Sequence, residues 1–266
     1  LRAYGAKRIM AEEAPGLHRI LGVIADRAGL PAAPELYYVP SSIMNAFTVG
    51  RRDRAAIVLT DGLLRNMDRE EMAGILAHEV SHIQQNDLWV MGLADAISRF
   101  TNIFSTVGFM LLALYFPLIL LGGAEIPIWA VLVIFLAPYL TVLLQLALSR
   151  TREYDADLNA VRLTGDPRGL AAALDKLERY PMRLRDLIFM PGRRVPGPSV
   201  LRTHPHTRKR ITKLLELAEK TLKPGVRANH EKIINAFPRP GSEQLIPDHY
   251  ARITRKPRWR IGGTWH

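Results

Sequence analysis

Within "GILAHEVSHIQQND", residues 74 to 87, two histidines stand four positions apart with a glutamate beside the first. On a helix this spacing puts the imidazoles of His78 and His82 on one face, about one turn apart, as two ligands of one tetrahedral ion require. "HEVSH" matches the H-E-x-x-H pattern, in which the glutamate, here Glu79, takes a proton from the water that attacks a peptide carbonyl. The plainer alternative is a helix whose polar face happens to hold two histidines. Leu76, Ala77, Val80 and Ile83 make the surroundings apolar, and a glutamate buried among them without a role would be costly.

A catalytic zinc site usually has three protein ligands and one open position. With no cysteine in the chain, His, Asp or Glu must supply them, and the lack of disulfides fits a reducing compartment. "REYDAD" offers Glu153 and Asp157, again four apart on one helical face. Glu153 could ligate the ion directly, and Asp157 could accept the free N–H of a ligating histidine and fix its tautomer. Otherwise Arg150, Arg152 and Glu153 form a charged cluster on the surface. The expected cofactor is one Zn2+, which suits two imidazoles and a carboxylate.

The elements that must carry these residues are legible from pattern. Asp68 and Glu71 have capping-box spacing, and Met72, Ile75, Leu76, Val80 and Ile83 recur at helical intervals. Upstream, "LYYV", "NAFTV" and "AAIVL" read as short strands, and the charged "GRRDR" would turn the last two into a hairpin. Downstream, helices are expected over "SRTREYDADLNAVRL", stopped by Gly165 and Pro167, over "GLAAALDKLERY", and over "HTRKRITKLLELAEK". The Pro- and Gly-rich "FMPGRRVPGPS" reads as an exposed loop, and no internal repeat is found.

Between these halves lie two runs without a charged residue, 100–124 and 126–149. Each exceeds the roughly 18 to 20 apolar residues that cross a bilayer as a helix. A buried hairpin of that size would need a very large surrounding domain, so the lipid bilayer is the expected partner. The short link "GGAEIP" returns the chain to the side it left, so the helix of His78 and that of Glu153 can meet at one ion. Residues 1–149 carry 11 Lys+Arg against 13 Asp+Glu, whereas 150–266 carry 25 against 12. Nearly all the positive charge shares one side, which the positive-inside bias places in the cytoplasm. Pro117, Pro127 and Pro138 are tolerable there because neighbouring helices can satisfy the freed carbonyls.

"HEVSH", followed after a membrane hairpin by "SRTREYDAD", resembles the HtpX-type family of integral-membrane zinc metallopeptidases, to which the CAAX prenyl protease is related. "NAFTVG" at 45–50 is similar to a strand motif that precedes the site in that family, and "THPHTRKRI" to a later segment. The likeness runs from about residue 17 to 212. It implies a mainly α fold with a small β-sheet, an α+β metallopeptidase domain interrupted by a transmembrane helical hairpin. By the resemblance, His78, His82 and Glu153 bind zinc, Glu79 is the general base and Asp157 supports a ligand. His204 and Arg210 would approach the substrate carbonyl, although His206, Arg208 and Lys209 could serve the same purpose or the segment could simply be a basic helix start. Asn45 and Phe47 would lie on an edge strand that takes polypeptide substrate by strand addition; core packing is an equally good reading of Phe47.

The implied division is 1–99 and 150–224 for the two parts of the peptidase domain, 100–149 for the hairpin and 225–266 for a basic extension. Family members usually carry two further spans ahead of this region, and "LRAYGAKRIM", which does not begin with Met, looks like the basic stretch after such a span. In the extension, Arg252, Arg255, Lys256, Arg258 and Arg260 interleave with Trp259, as an arm for a membrane surface or a membrane-protein complex would, or as a loosely packed solvated tail. The leading expectation is an endopeptidase acting on unfolded or membrane-associated proteins. A noncatalytic subunit that keeps the metal site is the alternative, and nucleic-acid binding ranks last because no recognisable module is present.

Overall fold

The computed structural model describes residues 5–122, 127–179 and 207–220. Four strands form one sheet in the order β1-β2-β4-β3: β1 (Lys7–Arg8), β2 (Glu35–Val39), β3 (Ala46–Arg51) and β4 (Arg54–Thr60). The expected hairpin is present, with β3 antiparallel to β4 and Thr48 opposite Ile57. Gly50 makes its close possible at φ 97°, where a Cβ would collide with the Arg54 carbonyl. β2 runs parallel to β4, joined by the crossover that the intervening hairpin strand provides. Among the described residues β3 is therefore an outer strand of this sheet.

Helix α1 (Pro15–Arg27) begins with proline in its first turn and buries Leu17, Ile20, Leu21 and Ile24, a helical stripe that the strand reading passed over. The short α2 (Asp61–Asn66) is capped by the Thr60 hydroxyl, and its buried Asp61 accepts from Tyr38 and Arg65. α3 (Arg69–Gln84) has the capping box in full: the Asp68 side chain accepts from the Glu71 N–H, and the Glu71 side chain accepts from the Asp68 N–H. Lys176 donates to Glu71 at 2.6 Å, so this buried carboxylate is both capped and paired. Every residue from Glu71 to Ile83 is buried, which marks α3 as the central helix rather than a surface one. It packs against α1, β3 and α6 (Pro167–Arg179). The α3–α6 crossing is close because Gly74 faces the Leu170 backbone, where a Cβ would come within 2.9 Å of Leu170 Cα. The last described helix, α7 (Thr207–Lys220), packs on α6.

Two very long helices complete the chain, α4 (Asp87–Leu120) and α5 (Ile128–Thr164). The helix expected to start anew at Ser149 is instead the C-terminal part of α5. No breaker separates the charge-free run from "SRTREYDADLNAVRL", so the helix continues to Gly165, whose φ of 72° ends it. α4 starts directly after Asn86, which adopts a left-handed conformation that asparagine tolerates.

The chain divides into two compact units, one of residues up to Gln85 and from Asp155, the other from Asn86 to Tyr154. In the first, the sheet, α1, α3 and α6 enclose a single core that includes Ile20, Ile57, Met72, Leu76 and Leu174. In the second, α4 and α5 are long and apolar enough to cross a membrane. Their apolar stretches are not core segments, because large apolar side chains there face outward: Phe104 of α4 is 70% exposed and Leu143 of α5 62%. Within this hairpin Gly108 lets Ile134 approach closely, and Ser98 donates to Gln145 at 3.0 Å, the small-residue and polar contacts that associate helices in lipid.

Candidate metal centre

The centre rests on the two helices that carry the paired motifs. Gln84, near the end of α3, donates to the Ala28 carbonyl at 2.8 Å and accepts from Asn159 of α5 at 2.6 Å. Asn159 also donates to the Ser81 hydroxyl, which itself donates to the Ala77 carbonyl. These contacts hold the motif helix against α1 and the last third of α5.

His78, Glu79 and His82 are all buried, His78 completely. The Nε2 atoms of the two histidines lie 3.1 Å apart, with the rings nearly perpendicular. Two nitrogens bound to one tetrahedral ion at zinc-like distances would stand about 3.3 Å apart, so the ring placement suits co-ligation. Glu153, on the same unbroken α5 as Asp157, is 2% exposed. His78, His82 and Glu153 each offer a ligand atom, and these atoms lie within 4.8 Å of one another. Two neutral imidazoles and one carboxylate form a donor set that fits a divalent ion with positions left over for water or substrate.

Asp157 Oδ1 stands 3.1 Å from His78 Nδ1, the nitrogen on the far side of the ring from Nε2. Arg210 of α7, expected at the substrate carbonyl, directs two donors to this carboxylate: Nε to Oδ2 at 2.6 Å and Nη2 to Oδ1 at 2.7 Å. Arg210 is 2% exposed. Asp157 lies beyond the charge-free part of α5, inside the peptidase unit. Burial pushes its pKa up, but hydrogen bonds from Arg210 and His78, with the charges behind them, outweigh this and lower it to about 2. Asp157 is thus an anion between a guanidinium and an imidazole, which favours the proton on His78 Nδ1 and leaves Nε2 to coordinate.

Glu79 accepts a 2.7 Å hydrogen bond from the hydroxyl of Thr48, a residue of β3 that the motif reading did not single out. Its signal was nonetheless there: in "AFTV" the alternation puts Thr48 on the buried register with Ala46, and a polar residue on that register needs a partner. Phe47 alternates to the other, half-buried side of β3. Asn45 sits just before the strand, buried, with its N–H and carbonyl bonded to the Thr60 hydroxyl. His204, the loop at 189–199 and the extension at 225–266 lie outside the described residues.

The fold and this cluster define an H-E-x-x-H metallopeptidase. The family model described as Peptidase family M48 matches residues 11–218. Proteins described as protease HtpX homologs are similar over most of their length: that of Acaryochloris marina is 38% identical over 82% of this chain and 78% of its own, and that of Aquifex aeolicus 37% identical over 83% and 77%. A Pyrococcus furiosus homolog is 38% identical over 81% of this chain and 78% of its own. The crystal structure of S. mikatae Ste24p aligns with 79% of this chain and 50% of that one at 24% identity, with a TM-score of 0.46, a likeness too loose to argue from. The chain belongs to peptidase family M48, on its HtpX side. It is a metalloendopeptidase with two helices able to span a membrane.

Proposed function

We propose that this chain is a zinc endopeptidase of the membrane, in which His78, His82 and Glu153 hold the ion, Glu79 is the general base and Asp157 orients His78. The observation that carries the assignment is the convergence of three buried ligand atoms within 4.8 Å. Glu153 is deeply buried, and a divalent cation between these donors would offset the charge of its carboxylate. Bound there, zinc polarises the scissile carbonyl and makes a neighbouring water a stronger acid. Glu79 takes one proton from the attacking water and returns it to the amine as the C–N bond breaks. Arg210 serves this chemistry by holding Asp157, and His204 is the better candidate of the pair for the developing oxyanion. As an outer strand, β3 offers a backbone edge for an extended polypeptide, with Phe47 on it and Asn45 just before it, so the substrates are unfolded or membrane-associated chains. The proposed division is peptidase parts at 1–99 and 150–224, hairpin at 100–149 and a basic extension at 225–266 whose partner is a membrane surface or a protein complex.

Metal removal tests the reading. Wild-type protein in detergent should cleave an unfolded model protein, lose that activity after chelation, and regain it with about one equivalent of zinc. Cleavage that survives complete removal of the metal would overturn the assignment.

The peptidase unit is proposed to face the cytoplasm, since the basic residues lie on its side of the hairpin. The absence of cysteine makes this directly measurable. A single cysteine replacing the exposed Asp53 in the β3–β4 turn should react with an impermeant maleimide only after cells are permeabilised. Labelling of intact cells would reverse the orientation.

A further inference from the structure

The hydroxyl of Thr48 reaches Glu79 from a different element, 31 residues away in sequence. Both side chains are buried. A carboxylate can only accept, so Thr48 is the donor, and 2.7 Å is the length expected of a hydrogen bond onto a charged oxygen. Among the described residues this hydroxyl is the one hydrogen-bond partner of the Glu79 carboxylate. Glutamate has three rotatable side-chain bonds, so helix position alone does not decide where its oxygens stand. A donor on Oε2 does, because it removes both rotation about the terminal bond and swinging of the whole group.

We propose that Thr48 is a positioning residue for the general base: it holds Glu79 through Oε2 and so presents Oε1 as the atom that takes and returns the proton. The inference rests on the assignment of Glu79 as base. It also explains why the donor comes from β3. The strand whose outer edge would receive the substrate is the one that sets the base, so carbonyl and carboxylate are located from one rigid element. A shift of either by about 1 Å would cost rate rather than binding.

The test compares Thr48→Val, which keeps the branched shape and removes the hydroxyl, with Thr48→Ser, which keeps the hydroxyl, both in zinc-loaded protein beside Glu79→Gln. Loss of a hydrogen bond to a charged group should lower kcat about ten-fold or more in the Val variant, with KM and zinc content within about two-fold of wild type. The Ser variant should recover most of kcat, and a crystal structure of the metal-free Val variant should show Glu79 in more than one rotamer. Wild-type kcat in Thr48→Val with Glu79→Gln inactive would overturn the role of Thr48 and leave the base assignment standing. Full activity in Glu79→Gln would remove both. If Val lowers the unfolding midpoint, Ser decides: a Ser variant as slow as Val would make the effect one of packing and sink the proposal.

Discussion

Glu79→Gln is expected to stop hydrolysis of an unfolded model protein, by at least about a hundred-fold in kcat, while leaving zinc content and fold intact. Glutamine has the shape of glutamate and can still accept from the Thr48 hydroxyl, so the hydrogen bond at 2.7 Å has a replacement acceptor. What it lacks is basicity: an amide cannot hold the proton between the attack of water and the departure of the amine. The three proposed ligands are untouched, and Glu79 is not one of the ligand atoms that converge. The measurement is cleavage rate and metal content on the same preparation. A variant that binds zinc and cleaves at the wild-type rate would show that another group carries the proton. A variant that loses zinc would place Glu79 among the ligands and displace Glu153.

The parts of this centre differ in how they could be read. His78, Glu79 and His82 were legible because helical spacing is a local rule, and the capping box at Asp68 and Glu71 announced the helix that applies it. The spans were legible because lipid demands long uncharged runs, and α4 and α5 contain them. Pattern could not show that α5 continues unbroken into the helix of Glu153 and Asp157, since charge marks where lipid ends and says nothing of where a helix stops. Contacts between elements were harder still. Thr48 meets Glu79 across 31 residues and Arg210 meets Asp157 across 53, and each pairing depends on strand register or helix packing that no spacing rule encodes. The alternation in β3 did mark Thr48 as inward-facing, but only the fold names what lies opposite.

The second large effect belongs to Arg210. In the described structure it is buried and bonded twice to Asp157, which stands 3.1 Å from His78 Nδ1, so a charge on α7 bears on a proposed ligand of α3 through a carboxylate of α5. Replacing it with methionine keeps much of the volume and leaves Asp157 buried without the guanidinium. Removing one partner of such a pair costs about 3–5 kcal/mol, because the remaining charge has lost its compensation. Arg210→Met should therefore lower the unfolding midpoint sharply. It should also weaken zinc binding about 10- to 100-fold, the usual effect of losing support behind a ligating histidine. Adding Asp157→Asn to it should recover part of the stability, since the orphaned charge is then gone, but not the zinc affinity, since His78 still lacks its anion. A direct role at the substrate carbonyl makes the opposite forecast: Arg210→Met would reduce kcat with midpoint and zinc affinity unchanged. Thermal unfolding and competitive zinc titration on the single and double variants separate the two. A buried arginine with Nε and Nη2 on the two oxygens of one carboxylate argues for support of the metal site, because drawing that face of the guanidinium toward a substrate would leave Asp157 uncompensated.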